Sequence, residues 1–200
     1  MTKKIAILIL AAGTSSRMEG RDKLLELIKG QDLLSRVTEQ ACATGFSVFV
    51  TLGTDAKKRA QAIANAPVTI IPVADASQGM SVSLKAGIRS LPPGLNGVLI
   101  MLADMPEITT DDLSILLTHF AEVGAKRVVR GTDETGHPGH PVILPARLFN
   151  RVGRLSGDQG ARELLMRENV SLVQLPRGHA TTDLDTPEDW ISWRAGKHLA

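Results

Sequence analysis

The sequence predicts an α/β fold, a mostly parallel twisted sheet with helices on both faces. Three observations carry this expectation. Short apolar runs without polar alternation, beginning with Ile5–Leu10, read as strands buried on both sides. They alternate with segments long enough to hold crossover helices, as between Ser47 and Val73, where strand, helix and strand follow in turn. Turn formers or a carboxylate close the runs at their carboxyl ends, as Gly53 and Asp104 do. Right-handed crossovers then gather those ends on one edge of the sheet, where open α/β sheets bind ligands.

Composition sets the outer bounds. A chain of 200 residues is the length of one domain, and it can bury about 70% of its unfolded surface. With 43% hydrophobic and 22% charged residues it is not a disordered chain. A net charge of +2 lacks the footprint of a nucleic-acid binder, and 3% aromatics without Tyr provide no stacking platform for single strands. The single cysteine, Cys42, falls in a predicted helix (Leu33, Leu34, Val37, Ala41) and reads as a small buried hydrophobe, consistent with a reducing compartment. The basic start, Met1 to Lys4, resembles the opening of a signal peptide. The apolar run continues straight into Gly13, Arg17 and Lys23 with no cleavage region, and it is too short for a membrane span, so a cytoplasmic address is expected.

The first strand is the most informative. Ile5–Leu10 meets a turn of small residues, Ala11-Ala12-Gly13-Thr14-Ser15-Ser16, followed by the cations Arg17, Arg21 and Lys23. Small residues let the backbone approach a ligand, and the amides of such a turn form a concavity for anions, so a polyphosphate is the ligand that uses all these features. A Walker loop is absent, because Met18 stands where its second glycine belongs and no Gly-Lys-Ser/Thr follows. The dinucleotide fingerprint is absent too, since Gly13 has no glycine two positions later.

Beyond the loop, Leu24–Ile28 reads as a short extension and Lys29-Gly30-Gln31 as a turn before a helix near Asp32. Strand Ser47–Leu52, helix Asp55–Asn65 and strand Val68–Val73 follow. The segment from Asp75 opens a helix carrying Leu84, Ile88 and Leu91 on one face, which places Gly79, Met80, Ser81 and Ser83 near its amino end, either as ligand contacts or with Ser81 as a cap. The run from Gly97 ends in Asp104-Met105-Pro106, setting one carboxylate at the ligand edge. Beside a triphosphate such a carboxylate is a natural Mg²⁺ ligand. Thr109 with Asp112 starts a scaffold helix, with Leu113, Leu116, Leu117 and Phe120 buried.

Lys126–Arg130 reads as a strand leading into an irregular loop from Gly131 to Pro141. Its histidines do not form a zinc site: Pro138-Gly139 forbids helical spacing between His137 and His140, and Cys42 is the only thiol. They are either hydrogen-bonding groups lining a substrate pocket or solvated loop residues. Strand Val142–Leu144 comes next. The stretch from Leu155 to Arg162 then starts a helix, where Gly157, Asp158 and Gly160 form a ligand-facing turn or a cap. After strand Val170–Leu175, Thr186, Pro187, Glu188 and Asp189 begin a last helix. Asp183 and Asp185 alternate, so one is expected to face inward with Asp104, and Asp183 is taken as the second metal ligand.

Leu10-Ala11-Ala12-Gly13-Thr14-Ser15-Ser16-Arg17-Met18 with Lys23 resembles the signature of sugar-nucleotide-type nucleotidyltransferases. Adding Gly79-Met80-Ser81, Asp104-Met105-Pro106, Gly139-His140-Pro141, Gly157-Asp158 with Gly160-Ala161-Arg162, and Asp183 to Asp189, the chain from about Lys4 to Arg194 resembles the molybdenum cofactor cytidylyltransferase family. The resemblance implies a single-domain Rossmann-like nucleotidyltransferase fold over residues 1–200. It also implies a reaction in which Mg²⁺ assists transfer of CMP from CTP to the terminal phosphate of molybdopterin, with release of pyrophosphate.

By the same resemblance the amides of Ala12 and Gly13, with Arg17 and Lys23, hold the triphosphate, Leu10 and Ala11 belong to the nucleotide-binding set, and Gly79, Met80 and Ser81 contact the nucleotide. Asp104 and Asp183 hold the metal, while His140, Pro141 and Asp158 line the acceptor side. Arg17, Lys23 and Asp104 are the catalytic set. Guanylyltransferase relatives show Leu-Ala-Gly-Gly and Asn-x-Asn-Thr-Pro, so Ala12 and Asp183/Asp185 lean toward cytidine. Glu19 departs from the pattern, where many members have glycine directly after Met. The implied partners are CTP and the molybdopterin-type cofactor, with a molybdenum hydroxylase or its maturation chaperone downstream. Two alternatives stand beside this: a related enzyme using another nucleotide or another phosphorylated acceptor, and a non-catalytic carrier of the finished cofactor.

Overall fold

The computed structural model describes residues 4–154 and 164–196. A seven-stranded sheet runs β5-β4-β1-β6-β8-β7-β9. Its strands are β1 (Ile5–Leu10), β4 (Ser47–Gly53), β5 (Val68–Val73), β6 (Gly97–Leu102), β7 (Val128–Thr132), β8 (Pro138–Pro145) and β9 (Val170–Gln174). Two short strands, β2 (Leu27–Ile28) and β3 (Gln31–Asp32), make a separate hairpin. Neighbours pair in parallel except on either side of β8, which alone runs against the others.

The apolar runs lie at the centre because both their faces are covered. In β1, Ile7 and Ile9 face one core together with Leu33, Leu34 and Val37 of α1 (Leu33–Ala43), Leu113 to Phe120 of α4 (Thr110–Glu122) and Trp190 of α6 (Pro187–Gly196). Ala6 and Leu8 face the other core, with Leu84 and Ile88 of α3 (Met80–Arg89) and Val152 of α5 (Phe149–Val152). Side-chain alternation along one buried strand thus serves two helical layers. Among the described residues no helix is long and apolar enough to cross a membrane.

The connections reverse direction at β1. The chain steps outward from β1 to β4 to β5, then returns to β6 on the other side, so Leu10 and Leu102 end side by side. A crevice opens outside the carboxyl ends of two strands whose connections diverge. Ala103 N donates to Leu10 O at 3.2 Å and fixes the next residue, Asp104, over that crevice.

Three segments differ from the sequence expectation. The helix expected over Asp55–Asn65 is shorter, α2 being Lys57–Ala62. The strand expected at Lys126–Arg130 is displaced to Val128–Thr132. The irregular loop expected from Gly131 to Pro141 is a tight connection between two strands. Asp133 Oδ1 accepts from the amides of Thr135 and His137, each at 2.9 Å, and β8 starts at Pro138. Register shifts between Arg130 and Thr132, and this irregularity accommodates prolines that cannot donate to the ladder. Because β8 is reversed, its amino end, with His140, reaches the same sheet edge as the carboxyl ends of the other strands.

Candidate functional site

A cleft of about 420 Å³ lies at that edge, over the ends of β1 and β6. Leu10, Ala11, Ala12, Gly13, Arg17 and Lys23 line one side and Gly79, Met80 and Ser83 the other, with Asp104, Asp183 and Asp185 also on its walls. Among the described residues, the amides of Ala12, Gly13 and Thr14 donate to no other group of the chain, whereas Ala11 N donates to Thr51 O at 3.1 Å. The turn therefore offers free donors at the mouth of the crevice, as an anion-binding turn must.

Lys23 follows Asp22, which caps a single 3-10 turn at Lys23–Leu25 by accepting from Leu24 N at 3.0 Å. That turn aims the Lys23 side chain inward, where its ammonium donates to Asp104 Oδ2 and, at 2.6 Å, to Asp185 Oδ1. Burial alone lowers the Lys23 pKa, but the carboxylates of Asp104 and Asp185 outweigh it and raise it above the ordinary lysine value, so the ammonium is charged. Arg17 donates to Asp185 Oδ2 at 2.6 Å and leaves most of its guanidinium in solvent. Arg21 faces away, paired with Glu26 at 3.4 Å. Glu19, the residue that departs from the family's pattern, has φ of 51°, a conformation that favours glycine.

Asp183 and Asp185 both line the cleft, which corrects the expectation that only one faces inward. The segment is not a strand, so alternation does not apply. Leu184, between them, is buried and donates its amide to Asp104 O at 3.1 Å, while Asp185 N donates to Asp189 Oδ2 at 3.0 Å. Burial first, then the nearby Asp104 and Asp185, push the Asp183 carboxyl up.

Among the described residues, Asp104 Oδ1 is buried with no partner. An orphaned carboxylate oxygen next to a carboxylate that is costly to ionise is a site that a cation relieves. Among the described residues no three His, Cys, Asp or Glu side chains already converge as a metal cage. Mg²⁺ needs none, since it takes one or two carboxylates with phosphate oxygens and water.

Gly79 is the amino cap of α3, with φ of 106°, and Met80 and Ser83 follow it onto the cleft wall. Ser81 is buried on the inner side of this first turn and neither caps the helix nor lines the cleft. Leu10 and Met80 also border a second, more apolar cleft of about 370 Å³, lined further by Leu84, Arg130, His140 and Val142. Among the described residues His140 Nδ1 is buried and unpartnered, and Pro141 lies outside both linings. Burial, followed by the charge of Arg130, pushes the His140 imidazole down to about 4, so it is neutral near pH 7. Asp158 lies outside the described residues.

One residue at the site was not anticipated. Arg59, only 5% exposed, extends from α2 beneath the small-residue turn. Its signal in the sequence is a cation on the apolar face of a helix, three residues after Ala56 and four before Ile63. A third cleft of about 510 Å³, over the ends of β4 and β5, is lined by Arg59 with Ala12, Gly13, Thr54 and Asp55.

Residues 7–172 match the family described as MobA-like NTP transferase domain. The chain is 27% identical over 90% of its length, and 91% of the relative, to the purine catabolism protein PucB of Bacillus subtilis. It is 27% identical to the molybdenum cofactor cytidylyltransferase of Escherichia coli, with 94% of each chain covered. Among solved structures, Rv0371c of Mycobacterium tuberculosis superposes with a TM-score of 0.83 at 26% identity, covering 96% of this chain and 97% of that one. A manganese complex of the same mycobacterial protein superposes with a TM-score of 0.77 at 25% identity, covering 94% and 96%.

Proposed function

This chain belongs to the MobA-like NTP transferase domain family, and we propose that within it the protein transfers CMP from CTP to the terminal phosphate of a molybdopterin-type cofactor, releasing pyrophosphate. The observation that carries the reading is the meeting, in one cleft, of the free amides of residues 12–14 with Lys23, Asp104 and Asp183. The cytidylyltransferase relative supports the acceptor, and Ala12 with Asp183 and Asp185 supports cytidine over guanine.

The acceptor phosphate is already ionised at neutral pH, so the reaction requires no protein nucleophile and no strong base. The protein's work is alignment with the α-phosphorus and neutralisation of charge on the leaving pyrophosphate. The loop amides and the exposed guanidinium of Arg17 bind the triphosphate. Two of the three N–H groups of Lys23 go to Asp104 and Asp185, which fixes the ammonium and leaves the third for a phosphate oxygen. Asp104 and Asp183 would hold Mg²⁺, whose chemistry is charge neutralisation on non-bridging oxygens. Support for a divalent ion comes from the orphaned Asp104 Oδ1 and from the manganese complex of the mycobacterial relative.

The apolar cleft next to Leu10 and Met80 receives the acceptor. Neutral His140 presents Nδ1 as a hydrogen-bond acceptor there, suited to a ring N–H of a heterocycle. Pyrophosphate release with Mg²⁺, a purified molybdopterin-type cofactor and CTP, GTP, ATP or UTP tests the assignment. Release with CTP alone, abolished in Asp104→Ala, is expected. Release with another nucleotide reassigns the base, and none with any nucleotide removes the catalytic reading.

A further inference from the structure

The geometry points to Arg59, clamped by Asp22, as the positioning residue that shapes the small-residue turn into a phosphate cradle; this rests on the reading of residues 11–14 as that cradle. All five guanidinium N–H groups of Arg59 find acceptors. Nε donates to Asp22 Oδ2 at 2.7 Å and Nη2 to Asp22 Oδ1 at 2.8 Å. Nη2 also donates to Ser15 Oγ at 3.1 Å, and Nη1 donates to the carbonyls of Ala11 and Gly13, each at 2.7 Å. With every donor used and the charge met by a two-pronged carboxylate, Arg59 is not itself a phosphate ligand.

Its effect passes through the peptide planes. In a trans peptide the carbonyl of one residue and the amide of the next point in opposite directions. Drawing the carbonyls of Ala11 and Gly13 down onto Arg59 therefore turns the amides of Ala12 and Thr14 the other way. Both residues line the cleft, and neither amide has an internal acceptor among the described residues. The same clamp sets Lys23. Asp22 accepts from Ser15 Oγ at 3.3 Å and caps the turn that carries Lys23, whose own amide donates to Ser15 Oγ at 3.3 Å. A lysine at position 59 keeps the charge but not the fork, so it cannot hold two carbonyls and a bidentate carboxylate together.

The test uses binding rather than turnover. Inorganic tripolyphosphate with Mg²⁺ is titrated into wild type, Arg59→Lys and Asp22→Asn, well below the melting midpoint of each unliganded protein. The expected result is a Kd about tenfold or more higher in both variants although both remain folded, the scale of losing well-placed charge-assisted donors. A residue that merely supports the fold predicts full affinity once the variant is folded. Wild-type affinity in folded Asp22→Asn overturns the clamp, and that variant decides alone if Arg59→Lys does not fold, because Asp22 is only partly buried. No binding by wild type instead overturns the phosphate reading on which the clamp rests.

Discussion

The ammonium of Lys23 lies 2.6 Å from Asp185 Oδ1, and its side chain is only 12% exposed. A buried cation held by Asp104 and Asp185 is placed both to balance the carboxylates of the cleft and to meet a phosphate.

Lys23→Ala is expected to lower turnover by about 100-fold, the scale of losing one well-placed transition-state donor. It also leaves Asp104 and Asp183 on the cleft wall without the ammonium, while Asp185 keeps only Arg17. The melting midpoint of the metal-free variant should fall, and Mg²⁺ should recover it by a larger shift than in wild type. Steady-state pyrophosphate release and thermal unfolding with and without Mg²⁺ read the two effects, and unchanged turnover removes Lys23 from the triphosphate site.

Arg17 and Arg21 are close in sequence yet differ in partner. Arg17 reaches Asp185 at the cleft, while Arg21 pairs with Glu26, which also accepts from Arg194. Arg17→Ala should raise the nucleotide KM by about tenfold. Arg21→Ala should change it by less than about twofold, as befits an exposed pair. Equal effects from the two variants would show that the loop binds nucleotide in some other way.

Asp183→Asn tests the metal assignment. Burial and then the charges of Asp104 and Asp185 raise the Asp183 pKa, so the folded chain binds more protons there than the unfolded chain between the ordinary aspartate value and the raised one. Stability therefore falls as pH rises through that interval, and the penalty is complete above it. Removing the carboxylate should make the metal-free protein more stable at pH 7 and abolish the stabilisation by Mg²⁺. If Mg²⁺ still protects Asp183→Asn as it protects wild type, the second ligand is Asp185.

The extent to which this site is legible in the sequence follows from the range of each signal. The strand Ile5–Leu10, its small-residue turn and Asp104 after β6 are local patterns, and each lies where its own residues place it. The reversed strand β8 is obscured because Pro138, Gly139 and Pro141 read as loop, yet a register shift accommodates them in the sheet. Arg59 serves a turn more than forty residues earlier in the chain, so its place on the apolar face of its helix marks it as buried without announcing what it holds. Alternation predicts one inward carboxylate at 183 and 185, but the backbone there is held by Asp104 O and Asp189 and follows no strand geometry.

Gly139 marks where β8 meets the segment that leads to Asp183. A Cβ there would lie 1.7 Å from Ala180 O, and His140 N donates to that same carbonyl at 2.8 Å. Backbone, unlike a side-chain tip, cannot move aside without carrying its neighbours. Gly139→Ala should therefore cost at least about 3 kcal/mol, the upper range of overpacking, and separate His140 from Ala180. Chemical denaturation measures the loss of stability. A variant as stable as wild type would mean that the two segments are not in contact.

His140 gives the clearest pH signature. With its pKa pushed to about 4 by burial and then by Arg130, the folded chain binds fewer protons at this residue than the unfolded chain does between pH 4 and the ordinary histidine value of 6.5. Stability accordingly rises with pH across that window. It is undiminished above it, and the full cost of about 3 kcal/mol is reached below it. Wild type should lose stability from pH 6.5 to 4 more steeply than His140→Gln, in which no proton is taken up at this position, even if the variant is less stable overall. Denaturant midpoints at a series of pH values give both slopes. Parallel slopes would place the His140 ring in water, and with it would go the neutral Nδ1 acceptor proposed for the apolar cleft.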